Sequence, residues 1–162
     1  MSRSFPAFAL GLVVFALDQV SKWIVLKNLE WGRPVEVIPG FFNLTLISNT
    51  GAAWGIFQEY GFILTLLAIG ALVFLCIVRR HFTYVGTVPR IAFGLLLGGI
   101  AGNLTDRLIH QHVIDFLSFY VGRYHWPAFN VADSAICIGV ALYILDSFFK
   151  RNPEAQSNPS QS

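Results

Sequence analysis

The chain has 162 residues, of which 55% are hydrophobic and 12% charged, with a formal net charge of +2. A water-soluble domain carries about a quarter charged residues because its surface must be wetted, so half that density means that much of this surface faces something other than water. The small net charge, with no Lys/Arg block and no interleaving of basic and aromatic residues, excludes nucleic acid as a partner.

Four apolar segments are long enough to cross a bilayer: Phe5–Leu26, Phe62–Val78, Ile91–Leu108 and Val131–Phe149. As helices each spans about 25–33 Å, against a hydrocarbon core of about 30 Å, and none shows the polar stripe of a soluble bundle helix. In chain order, the first begins like a signal peptide, with Arg3 and an apolar run, but no small-x-small cleavage site follows and apolar residues resume at Trp23-Ile24-Val25-Leu26. It is read as a span. The connection at 27–61 alternates in Val35-Glu36-Val37 and in Phe42–Leu46 around Pro39-Gly40, a strand–turn–strand signal. Span two leads through Arg79, Arg80 and Arg90 into span three, where Gly94, Gly98 and Gly102 line one face and permit close helix approach. The segment Ile109–Asn130 joins spans three and four. Cys76 and Cys137, in apolar runs, are expected to be small packing residues without chemistry.

Orientation follows from the basic residues. Arg3, the three arginines between spans two and three, and Lys150-Arg151 outnumber those on the other side in short flanks, which places both termini in the cytoplasm. The expected architecture is a membrane all-α, four-helix bundle with a small extracytoplasmic β segment. It forms one integral-membrane domain over 1–151, followed by a disordered cytoplasmic tail over 152–162.

Ionisable residues in membrane spans are costly and therefore functional candidates. Here they gather at one depth, near the outer surface. Asp18 and Lys22 lie at the outer end of span one. Asn103, Asp106 and Arg107 end span three, Asp115 follows, and Asn130 and Asp133 open span four. Asp115 and Asp133 are too far apart for one helix face, but the chain leaves the membrane and returns between them, so they can meet. Two adjacent carboxyl groups share a proton; one can deprotonate a water that attacks an amide while the other serves the carbonyl oxygen. Structural readings compete for each residue. Asp133 stands at N3 of an Asn130-capped helix, Arg107 can snorkel, and Asp18 and Lys22 can neutralise each other as an i,i+4 pair. Such roles do not by themselves require so many polar groups at one level. The pair His110/His112 lacks a third metal ligand, and Asn49-Thr50-Gly51 offers an amide where a general base needs a carboxylate. Asn43-Leu-Thr45 and Asn103-Leu-Thr105 match glycosylation sequons, the second inside a span. A small ion or proton transporter with an outer-side polar site is the alternative class, and an inactive membrane subunit a second one.

Several blocks, in order, resemble the lipoprotein signal peptidases, the type II signal peptidases of bacteria. They are Asp18-Gln19-Val20-Ser21-Lys22; Asn49-Thr50-Gly51-Ala52-Ala53-Trp54; Gly102-Asn103-Leu104-Thr105-Asp106-Arg107 with Val113-Ile114-Asp115-Phe116; and Phe129-Asn130-Val131-Ala132-Asp133-Ser134. The resemblance implies an aspartic endopeptidase of the bacterial inner membrane that cuts prolipoproteins just before a diacylglyceryl-modified cysteine. Asp115 and Asp133 would be catalytic. Asn49, Gly51, Asn103, Arg107 and Asn130 would line or orient the site, Asp18 and Lys22 would support it, and Asp106 would serve structure by pairing with Arg107. The outer β segment would cradle the lipidated substrate, and globomycin would occupy the same site. No metal or organic cofactor is implied. A monomer is expected, although the span-three glycines could also pack between chains.

Overall fold

A computed structural model describes residues 4–51 and 60–150. Its elements run α1 (Phe5–Asn28), β1 (Val35–Ile38), β2 (Phe42–Asn49), α2 (Gly61–Val85), α3 (Thr87–His110), β3 (Val113–Val121), β4 (Tyr124–His125) and α4 (Val131–Lys150). All four helices contain stretches long and apolar enough to cross a membrane. The four-helix reading holds, with longer elements. α2 continues through Arg79 and Arg80 to Val85, and α3 starts at Thr87 after the single residue Gly86. Charge ends an apolar run without ending backbone hydrogen bonding, and Pro89 falls in the first turn of α3, where no intrahelical N–H is required.

The bundle encloses its polar groups and presents an apolar exterior. Phe62, Ile77 and Leu12 are 74%, 73% and 67% exposed, whereas Asp18, Lys22, Asn103, Asp106, Asp115 and Asn130 are buried. Lipid accepts the apolar exterior at no hydrophobic cost, so close packing must bring the helices together. The glycines of α3 supply it. A Cβ on Gly94 would meet Ala7 O at 2.7 Å, one on Gly98 would meet the carbonyl of Gly11, and one on Gly102 would meet the Asp18 carboxylate. All three therefore face α1, while a Cβ on Gly99 would meet Ala132 O of α4 at 2.6 Å. α3 is the central helix, with α1 and α4 packed side by side against adjacent glycine faces. Ala7, Leu75, Phe82 and Phe93 close the other end of the bundle.

The sheet is four-stranded and antiparallel in the order β1-β2-β3-β4. β1 and β2 realise the expected strand–turn–strand, turning through Gly40 at φ 75°. β3 and β4 were not expected. β3 pairs along β2, with Asn49 opposite Val113 and Ile47 opposite Asp115, and reverses into β4 through Gly122-Arg123. Val25 of α1 packs with Leu46, Ile114 and Phe116, seating the sheet on the end of the helices. The cysteines are a correction: Cys76 and Cys137 are both exposed. On these helices the outward positions face lipid, so an apolar run does not imply an inward thiol.

Candidate active site

Three junctions bring the polar residues together. α3 ends at Gln111 in the left-handed conformation (φ 64°), its N–H bonding to Arg107 O, which turns the chain into β3. The strand start is then tied back to the helix, since Ile114 N–H donates to Asp106 Oδ2 at 3.1 Å. Further on, Phe129 bridges Leu117 in both directions, at 2.9 and 3.1 Å. That bridge returns the chain to within two residues of Asp115 on β3, and α4 begins immediately after.

The start of α4 is capped twice. Asn130 Oδ1 accepts from Asp133 N–H at 2.9 Å, and Asp133 Oδ2 accepts from Asn130 N–H at 3.3 Å, a reciprocal capping pair. From the neighbouring helix, Asp18 Oδ1 accepts from Ala132 N–H at 2.9 Å. Gly102 is required there, because the Asp18 carboxylate stands where its Cβ would be.

Asp115 and Asp133 meet around Asn130. Asn130 Nδ2 donates to Asp115 Oδ1 at 2.7 Å, while the Asn130 backbone N–H serves Asp133. Each carboxyl has a second amide: Asn49 Nδ2 reaches Asp115 Oδ2 at 2.8 Å, and Asn103 Nδ2 reaches Asp133 Oδ1 at 2.7 Å. Asp115 is 1% exposed. Burial pushes its carboxyl up to about 7, Asp133 adds repulsion in the same direction, and the Asn49 and Asn130 amides with the Lys22 ammonium hold it back. Asp133 is half-buried and lines an apolar cavity of about 390 Å³ with Trp126, Phe129, Ser134, Ile136 and Cys137. One carboxyl is thus enclosed and the other faces an opening.

Behind them lies a buried ionic cluster. Lys22 Nζ pairs with Asp18 Oδ2 at 2.8 Å and with Asp106 Oδ2 at 2.7 Å. This corrects the expected Asp106–Arg107 pairing: adjacent residues on a helix point about 100° apart, and Asp106 turns inward to Lys22 while Arg107 reaches Gly51 O at 3.4 Å. Gly51 is buried and its N–H donates to Asn49 Oδ1 at 3.0 Å. The rest of that block, Ala52-Ala53-Trp54, lies outside the described residues, as does the tail over 152–162. Gln19 was not singled out in the sequence. Its Nε2 contacts Asp18 Oδ2, Asp106 Oδ1 and Gly102 O at 3.1–3.3 Å, tying α1 to α3. Its place between Asp18 and Lys22, within the first block, was the available signal.

The family model described as signal peptidase (SPase) II matches residues 10–149. The chain belongs to the signal peptidase II family. It is a multi-pass membrane peptidase. The lipoprotein signal peptidase of Neisseria gonorrhoeae is 43% identical over 150 residues, covering 89% of this chain and 90% of that one. That of Neisseria meningitidis serogroup C / serotype 2a is 41% identical over 155 residues, 92% of each. Two solved structures, each described as a bacterial membrane enzyme, superpose with TM-scores of 0.85 and 0.78 at 31% and 34% identity. The first covers 96% of this chain and 94% of its own, the second 88% and 92%. The transporter alternative is not favoured: an ion path needs polar groups through the membrane's depth, and the buried polar side chains among the described residues gather at one end of the bundle. Among those residues, no three His, Cys, Asp or Glu side chains come together as a metal site.

Proposed function

We propose that this signal peptidase II is an aspartic endopeptidase that removes the signal peptide from diacylglyceryl-modified prolipoproteins, cutting just before the lipidated cysteine. The observation that carries the reading is the pair of carboxyl groups joined through Asn130, one enclosed and one open to an apolar cavity. The chain's similarity to two neisserial lipoprotein signal peptidases supports the substrate class.

In this mechanism the two carboxyls hold one proton between them, because desolvation and mutual repulsion oppose a second charge. The ionised member takes a proton from a water placed between them, and that water attacks the scissile carbonyl. The protonated member donates to the carbonyl oxygen as it becomes tetrahedral. The proton taken from water then passes to the leaving amine, the C–N bond breaks, and the new carboxyl group returns the other proton to the dyad as its carbonyl reforms. Asn49, Asn103 and Asn130 hold the carboxyl oxygens in place, so little reorganisation accompanies the reaction. Arg107, beside Gly51 O, orients the chain that leads from β2 into the segment after it.

The dyad would stand near the outer leaflet with both termini cytoplasmic, since the Arg79/Arg80/Arg90 cluster lies at the opposite ends of α2 and α3. A diacylglyceryl group could then remain in the leaflet while its peptide bond reaches water. A globomycin-type inhibitor would compete for the same cavity, and the enzyme would act as a monomer. The test is product mapping with purified enzyme and synthetic precursor peptides, with and without diacylglycerol on the cysteine. A single cut before the lipidated cysteine, absent from the unlipidated peptide, supports the proposal. Equal cutting of both, or a cut elsewhere, would refute it.

A further inference from the structure

The Asn103 amide has only one orientation open to it. Its Oδ1 accepts from Lys22 Nζ at 3.1 Å and from Asn130 Nδ2 at 3.1 Å, while its Nδ2 donates to Asp133 Oδ1 at 2.7 Å. If the amide were reversed, every contact would oppose it: an NH2 against an ammonium and a second NH2, and a carbonyl oxygen against a carboxylate. Lys22 is fixed in its turn. Its three ammonium protons have three acceptors, Asp18 Oδ2, Asp106 Oδ2 and Asn103 Oδ1, and the side chain is 2% exposed.

A buried ion pair is weak evidence for stability, because a hydrophobic replacement is often as stable. Stability alone therefore does not explain an ammonium that extends past its two carboxylates to a neutral amide. The direction of that contact suggests its use. From Lys22 to the Asn103 carbonyl, and from the Asn103 NH2 to Asp133, donors and acceptors run one way, and each bond polarises the next. Among the described residues, the other oxygen of Asp133 has the longer 3.3 Å contact from Asn130 N–H. The short Asn103 bond is therefore what sets the rotation of this carboxyl toward the cavity.

We infer that Lys22 is a positioning residue for the carboxyl pair, acting through Asn103 by holding its amide with the NH2 group toward Asp133. This rests on the dyad reading above. Lys22 touches neither substrate nor the reacting atoms. Its charge also helps to hold the Asp115 carboxyl down, so variants are compared at the pH optimum of each; loss of the geometric effect on Asp133 lowers turnover more than substrate affinity.

The test is a double-mutant cycle on the full-length enzyme in detergent with a diacylated precursor peptide, reading kcat, KM and melting temperature. Lys22→Met and Asn103→Ala are each expected to lower kcat about 100-fold, the cost of misplacing a catalytic group by about an ångström, with KM nearly unchanged. The double variant is expected to fall no further than the worse single one, since both break the same connection. Losses that multiply would overturn the inference, as would a Lys22→Met enzyme of lowered melting temperature and intact kcat. Should Lys22→Met fail to fold, Lys22→Arg decides, because its planar fork can keep the carboxylate partners without delivering the same N–H to Asn103. Its kcat loss should vanish in the Asn103→Ala background, and an equal loss in both backgrounds would count against the inference. Failure of the dyad reading looks different: turnover would survive Asp115→Asn or Asp133→Asn, whatever the cycle gives.

Discussion

Replacing Asp115 by Asn should change thermal stability with a sign that depends on pH. Asp115 has its carboxyl raised from 3.8 to about 7, so the folded protein favours its neutral form. That contribution is fully present below the unfolded value and is lost as pH rises through about 7. At about 1.4 kcal/mol per pH unit the loss is about 4 kcal/mol, in order of magnitude. Asn never ionises and avoids this loss. It has its own cost, because both Asp115 oxygens accept amide donors, from Asn49 at 2.8 Å and Asn130 at 2.7 Å. A carboxamide must set its NH2 against one of them, at about 1–3 kcal/mol. The variant should therefore gain on wild type by about 3 kcal/mol between pH 4.5 and pH 8.5, lying level with it or below at the acid end and above it at the alkaline end by several degrees, at about 2–4 °C per kcal/mol. Thermal unfolding in detergent across pH 4.5–9 measures this directly. A difference between the two proteins that stays constant over that range would refute the assignment of the raised carboxyl to Asp115.

Gly98→Ala drives a methyl into the Gly11 carbonyl and should cost about 1–3 kcal/mol, seen as a lower melting temperature. Gly70→Ala, with nothing within 4 Å, should be neutral or slightly stabilising in the same assay. Cys137 lines the cavity that Asp133 faces, so a bulky maleimide on it should raise KM for the diacylated peptide at least about tenfold, as expected for blocking an apolar subsite by more than about 1.4 kcal/mol. The same reagent on Cys76, with Cys137 changed to Ala, should leave KM unaltered. Asp18→Ala removes the acceptor of Ala132 N–H and one partner of Lys22. It should destabilise the protein by about 3 kcal/mol or more, as for a broken buried ion pair, measured by detergent melting.

The spans were legible because lipid imposes a composition over a fixed length, and the polar set was legible because charge in that context is rare. The glycine face of α3 was readable for the same reason, as small residues at spacing four. β3 went unread although Val113–Val121 is rich in β-branched and aromatic residues and is followed by a two-residue Gly122-Arg123 reversal. The strand signal is present, but in a segment whose flanking spans require only a connection. Partner choice was harder. Asp106 adjoins Arg107 in sequence yet pairs with Lys22 from another helix, which only the packing of α1 on the glycines of α3 determines. Nor were the two readings of Asp133 exclusive: it caps α4 through Asn130 and faces the cavity as well. The cap holds one carboxyl oxygen and the Asn103 amide the other. The remainder of the Asn49 block, read from residues 52–54, lies outside the described residues.

The account depends most on both carboxyl groups acting as one unit on a bound peptide. Single-turnover cleavage of a diacylated precursor by wild type, Asp115→Asn, Asp133→Asn and the double variant tests this most directly. Each single variant, folded by its melting transition, should lose at least about 10⁴-fold in rate, and the double variant should lose no more, as for residues that act together. Either single variant retaining a tenth of the wild-type rate would contradict the mechanism.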